Sequence, residues 1–227
     1  MQIQKPHFTK FQLAVHVAAL APLAVLIAAA LTDTLTVNPI QAATLRTGKT
    51  ALILLVLSLA CTPANTIFGF TQAIRVRRAL GLYAFLYAAV HFSIFLGVDY
   101  GFDVGLIWLE LAEKRYILVG AAALLILIPL AVTSTKGWQR RLKKNWKKIH
   151  QWVYVAAILV IFHYVWVQKA DITQPLIWGA ILGLLLVFRI PVVRRQVVQL
   201  RSRLTRKQSK PSTAKSVQTP STRKLDV

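Results

Sequence analysis

Residues 149–168 read IHQWVYVAAILVIFHYVWVQ, a run with no formal charge and with histidines at positions 150 and 163. A helix rises about 1.5 Å per residue, so a run of this length crosses the roughly 30 Å hydrocarbon core of a bilayer. Apolar residues occur on every side of it, the pattern of a helix surrounded by lipid and other helices. Five more charge-free apolar runs follow from the same reading: Phe11–Leu31, Ala51–Thr62, Ala79–Val98, Tyr116–Thr135 and Ile172–Phe188. The Ala51–Thr62 run is short and meets Pro63, so it must borrow uncharged residues from Thr44 onward or from the stretch up to Ile74. Proline is tolerated in a membrane helix when a neighbour satisfies the carbonyl it frees. The predicted fold class is all-α, a polytopic membrane bundle of about six transmembrane helices.

Composition agrees. The chain of 227 residues is 56% hydrophobic and 15% charged, with a mean hydropathy of +0.55. A net charge of +21 could mark a nucleic-acid binder, but the placement of the charges excludes that reading. Of the 28 Lys and Arg residues, 23 fall in the N-terminus, the 75–78 and 136–148 connections and the tail from Arg189. Six of the seven acids lie in the alternate connections, at Asp33, Asp99, Asp103, Glu110, Glu113 and Asp171. The basic segments alternate with the acidic ones across the six runs, which predicts cytoplasmic N- and C-termini with the acidic loops outside. The basic surplus then serves topology and contact with anionic lipid. The N-terminal run is long for a signal peptide and reads as a retained helix.

The organisation predicted is a cytoplasmic N-terminus over 1–10, a transmembrane domain over 11–195 and a basic tail over 196–227, disordered beyond about Gln208. A short amphipathic helix is expected on the outer surface within Asp99–Glu113. No internal repeat, Gly-rich phosphate loop or soluble nucleotide-binding domain is visible. Cys61 is the single cysteine and reads as a small buried residue.

Four of five histidines, His16, His91, His150 and His163, sit in the apolar runs, where a strongly polar residue is by default a functional candidate. Haem is the natural ligand, because neutral imidazole binds iron and a bis-histidine site needs two helices presenting histidine at one depth. His91 lies roughly 10 Å and His163 roughly 8 Å from the outer ends of two parallel helices, which pairs them. His150 lies about 20 Å below His163, a spacing that suits a second haem in the other leaflet. Its partner stays open: the matching level on the third helix holds Arg77 and Arg78, and His16 is the other candidate. Arg77 and Arg78 could pair with haem propionates or serve only as positive-inside charge. Iron with two axial histidines transfers electrons and does not bind oxygen. The alternative of structural histidines implies a transporter or scaffold without haem; the spans carry no acidic residue of the kind transporters use.

Several strings carry a resemblance. They are His16-Val17-Ala18-Ala19-Leu20-Ala21-Pro22, Thr47-Gly48-Lys49-Thr50-Ala51-Leu52 and Arg77-Arg78-Ala79-Leu80-Gly81-Leu82 with His91 downstream. Further on stand Thr133-Ser134-Thr135, Trp146 with Ile149-His150-Gln151-Trp152-Val153-Tyr154, and His163-Tyr164-Val165-Trp166. In this order and spacing, from about Phe11 to Arg195, the chain resembles the MsrQ (YedZ) family of the ferric-reductase-like transmembrane superfamily. The resemblance implies a b-type haem subunit, with one or two haems held by His91, His150 and His163, and FMN as a further cofactor. It implies electrons taken from quinol and passed to MsrP, a periplasmic molybdopterin enzyme that reduces methionine sulfoxide in oxidised envelope proteins. The chain would then be the electron-transfer subunit, with substrate chemistry on its partner. The wider superfamily has a second histidine on the third helix and a cytoplasmic FAD/NADPH domain; this chain has neither. A stand-alone membrane b cytochrome acting as a metal-ion reductase shares the same histidines.

Overall fold

The computed structural model describes residues 9–168 and 171–208; His7 and the tail beyond 208 lie outside them. The described chain is helical without strands. Helix α1 (Lys10–Leu31) starts at a capping box between Thr9 and Gln12. Asn38 caps α2 (Pro39–Phe68) with Pro39 at its first position. Next come α3 (Thr71–Ser93), a π-helical turn (Ile94–Asp99), α4 (Val104–Glu113) and α5 (Tyr116–Val132). The chain ends with α6 (Lys136–Leu142), α7 (Lys144–Val167), α8 (Thr173–Val187) and α9 (Pro191–Gln208).

Helices α1, α2, α3 with its π turn, and α7 are each long and apolar enough to cross a membrane. Helices α5 and α8 are shorter. Each continues across a bend into its neighbour, by 109° from α4 into α5 and by 74° from α8 into α9, which brings the number of spans up to six. Helix α4 falls within Asp99–Glu113, where a short helix is expected, and is capped by Asp103 on the amides of Gly105 and Leu106.

The helices run past several predicted ends. Helix α2 passes through Pro63 and gathers residues on both sides of the short apolar run. It ends at Gly69, whose positive φ of 72° closes the last turn. Only Gly69 and Phe70 separate it from α3, so Arg75, Arg77 and Arg78 belong to α3 rather than to a connection. Helix α9 crosses the boundary drawn at 196 and continues to Gln208.

Helix α2 packs most closely on α3, and α5 on α7. The core is centred on Leu54, Leu55, Leu59, Ala73, Val76, Leu80, Ala84 and Tyr87, joined by Ala157 and Leu182. Two proline defects are closed across helices. Pro63 has no N–H for the Leu59 carbonyl, four residues back; Arg189 Nη2 donates to that carbonyl at 2.8 Å, and its Nη1 donates to Tyr154 at 2.8 Å. In α1, beside Pro22, the Tyr87 hydroxyl accepts from Leu23 N–H at 2.9 Å and donates to the Ala19 carbonyl at 2.8 Å. It thereby stands in for a backbone bond of α1. Tyr87 is 1% exposed, so this insertion is sealed from lipid.

Arg189→Ala leaves the Leu59 carbonyl without a donor and is expected to cost about 1–3 kcal/mol. Adding Pro63→Ala restores an N–H for that carbonyl, so the double variant is expected to recover part of the loss. Thermal unfolding in detergent checks this; a double variant no more stable than the single one would contradict it.

Candidate functional site

His91 sits on α3 and His163 on α7, in the C-terminal half of each helix. Their ring centroids are 6.2 Å apart and the rings are nearly perpendicular, at 85°. The helices are not in the close backbone contact seen between α3 and α2; the rings face each other across a gap. Each ring is anchored from behind. His91 Nδ1 donates to the Thr44 carbonyl of α2 at 2.9 Å. His163 Nδ1 donates to the Tyr116 carbonyl of α5 at 2.8 Å. A carbonyl only accepts, so both Nδ1 atoms carry the proton and the Nε2 lone pairs remain for a ligand.

Both rings lie against a glycine. A Cβ on Gly48 would stand 3.0 Å from His91 Nδ1, and one on Gly120 would stand 2.9 Å from His163 Nδ1. The two anchors share one register: each hydrogen bond spans 47 residues, and each glycine stands four residues after the accepting carbonyl. Seven residues before each histidine is an alanine at the helix crossing, Ala84 at 1% and Ala156 at 0% exposure. This repetition was not visible in the sequence.

Metal–imidazole bonds of about 2.0 Å on each side, plus roughly 1.2 Å from nitrogen to ring centre, place two axial imidazoles about 6.4 Å apart. The observed 6.2 Å therefore suits two histidines on opposite faces of one metal. Among the described residues no group of three or more His, Cys, Asp or Glu side chains converges as a metal-ion site.

His150 stands two turns into α7. Its ring stacks on Trp146 at 4.0 Å, its Nδ1 is 3.2 Å from the Trp146 carbonyl, and its Nε2 is buried with no partner. His16 Nδ1 is 2.8 Å from the Tyr83 hydroxyl on α3. Arg77 Nη1 donates to Thr62 at 3.2 Å, and Arg77 is near enough to Arg189 and His150 for their charges to act on one another. Arg75 and Arg78 are exposed.

Beyond the outer pair, Phe92, Phe95 and Tyr100 are in ring contact along the π turn, at 6.2 and 4.9 Å, and Tyr116 lies 5.9 Å from His163. On the surface above, Glu110 is paired with Lys114. The Lys114 ammonium, with the Tyr100 hydroxyl, holds the Glu110 carboxyl below its ordinary range. Burial and then the Glu110 carboxylate push the Tyr100 hydroxyl up.

Residues 47–161 match the family model described as "Ferric reductase like transmembrane component". A protein of Rhodospirillum rubrum is 48% identical over 187 residues, covering 82% of this chain and 90% of its own length. Proteins of Xanthomonas axonopodis pv. citri and Xanthomonas campestris pv. campestris are each 43% identical, covering 78% of this chain and 84% of their own. All three are named "Protein-methionine-sulfoxide reductase heme-binding subunit MsrQ". The chain belongs to the MsrQ family. No solved structure matches it. The matched span begins beside Gly48 and stops just short of His163, so it contains His91, His150, all of α3 and α5 and most of α2 and α7. Within this MsrQ chain, sequence reasoning singled out the three histidines but missed Thr44, Tyr116, Gly120 and Arg189. Gly48 stood in a quoted string without a role.

The lowered Glu110 value has a sign that can be checked. Its stabilising pair is complete above the ordinary carboxylate value of 4.5 and is lost as pH falls through the lower folded value. Acidification below pH 4.5 is expected to lower the unfolding temperature in detergent, and less so in Glu110→Gln; equal falls in both proteins would contradict the pairing.

Proposed function

We propose that this chain is the b-type haem membrane subunit that passes electrons from the quinone pool to a periplasmic molybdopterin methionine sulfoxide reductase, MsrP. Its role is then the repair of oxidised envelope proteins. The carrying observation is the His91–His163 pair: two neutral imidazoles 6.2 Å apart, each with its tautomer fixed by a backbone carbonyl. Haem b, when bound, supplies a one-electron carrier whose axial positions are both taken, so it does not bind oxygen. His91 and His163 would hold it by Nε2, and the Thr44 and Tyr116 carbonyls would orient those ligands.

His150 is the candidate for a second haem, on the strength of its buried, unpartnered Nε2. Arg77 turns into the bundle at that level and is the better placed partner for an anionic propionate; Arg78 faces outward. His16, bonded to Tyr83, is the weakest candidate ligand. FMN would be a further cofactor, as the family resemblance implies, with no residues of this chain assigned to it.

The charge asymmetry supports cytoplasmic termini and a bacterial inner membrane. Electrons would then leave at the outer face, where the π turn, α4 and Tyr116 cover the His91–His163 level. The chain's own residues bind, orient and screen; bond chemistry on methionine sulfoxide belongs to the partner.

The test is proteoliposomes holding this chain and MsrP, given a quinol and an oxidised protein substrate. Sulfoxide reduction is expected with the wild type and only background with His91→Ala or His163→Ala. Quinol-driven reduction of a ferric chelate without MsrP, and none of sulfoxide with it, would favour a stand-alone metal-ion reductase.

A further inference from the structure

We infer that Gly48 and Gly120 are positioning residues that, with the carbonyls four residues before them, set the angle between two axial histidine rings. This rests on the haem reading of His91 and His163. The physical argument starts from the helix. In α2 the Thr44 carbonyl already accepts the amide N–H of Gly48, since a helix bonds each carbonyl to the N–H four residues on. A carbonyl oxygen has a second lone pair, and His91 takes it from outside the helix. To reach it, the imidazole must lie over the next turn, on the backbone of residue 48. Any side chain there fills that place: a Cβ would stand 3.0 Å from Nδ1 and 3.1 Å from Cε1 of His91. The carbonyl and the glycine are therefore one device, and α5 carries it again. There a Cβ on Gly120 would stand 2.9 Å from both Nδ1 and Cε1 of His163 and 3.3 Å from Cγ.

The device appears twice, with the same 47-residue separation of ring and carbonyl. The site is thus built from two alike helix pairs, α2 with α3 and α5 with α7. Each pair contributes one ring and fixes it by its own second helix. Because each ring has its own anchor, the angle between the rings is held from behind by the two backbones. That angle is 85°. Perpendicular axial imidazoles leave two iron d orbitals nearly degenerate, which gives a low-spin ferric haem a large-gmax, highly anisotropic electron paramagnetic resonance signal. Near-parallel rings give a rhombic one. The rings are already near perpendicular, so a large turn of either moves the signal toward rhombic. Loss of the Nδ1–H bond to the carbonyl also makes the imidazole a weaker donor, which raises the haem midpoint potential.

The experiment uses the full chain, purified with haem available, as wild type, Gly48→Ala, Gly120→Ala and Gly183→Ala. Gly183 has nothing within 4 Å of an added Cβ and serves as the control. The wild type and Gly183→Ala are expected to share the large-gmax signal and one midpoint potential. Gly48→Ala and Gly120→Ala are expected to shift toward a rhombic signal and a higher potential, or to lose haem while keeping the helical content of the control. Haem-loaded glycine variants with unchanged signal and potential would overturn the inference. So would a rhombic signal in the wild type, which depends on no substitution and decides the matter if a variant fails to fold. A wild type that binds no haem would instead overturn the function proposed above.

Discussion

A backbone group inside a bilayer has no water to turn to, and this fold depends on how its helices answer that constraint. Again and again, a side chain from one part of the bundle bonds the backbone of a neighbouring helix. Arg189 meets the Leu59 carbonyl that Pro63 freed, Tyr87 replaces a bond of α1 beside Pro22, and the two outer histidines meet the Thr44 and Tyr116 carbonyls. The first two fasten helices together. The last two use the same chemistry to orient two imidazole rings. Association of helices in lipid gains little from the hydrophobic effect, so such specific bonds, with close packing at Ala84 and Ala156, decide which helices pair.

The two ends of the bundle differ. The outer level is matched: two rings, two carbonyls, two glycines. At the other end α7 offers His150, with an unpartnered Nε2, while α3 offers Arg77, directed at Thr62 and close to Arg189. The difference is one of residue type on helices that are otherwise alike.

Much of this was legible in the sequence. Charge-free runs and the alternation of Arg and Lys with acids mark the spans, because burial of charge in lipid is costly whatever the fold. The pairing of His91 with His163 follows from counting along two parallel helices. The extent of α2 was less clear: hydropathy stops at Pro63, and only the Arg189 contact shows why the helix does not. Arg189 itself read as one more cytoplasmic charge. Gly48, Gly120 and the two carbonyls were not recognisable as supports, since a backbone acceptor has no sequence signature and a glycine has many uses. The repeated helix pair escaped for a related reason. Apolar residues substitute freely for one another in lipid, so only the few positions around the rings share a register.

The account stands on one claim, that His91 and His163 ligate the same metal. Near-infrared magnetic circular dichroism of the oxidised, haem-loaded protein reads axial ligands directly. A charge-transfer band at the energy of bis-imidazole ligation is predicted for the wild type, and its loss at the outer haem in both His91→Ala and His163→Ala. An unaltered band in either variant, or a wild-type band indicating one histidine and another ligand, would contradict the claim.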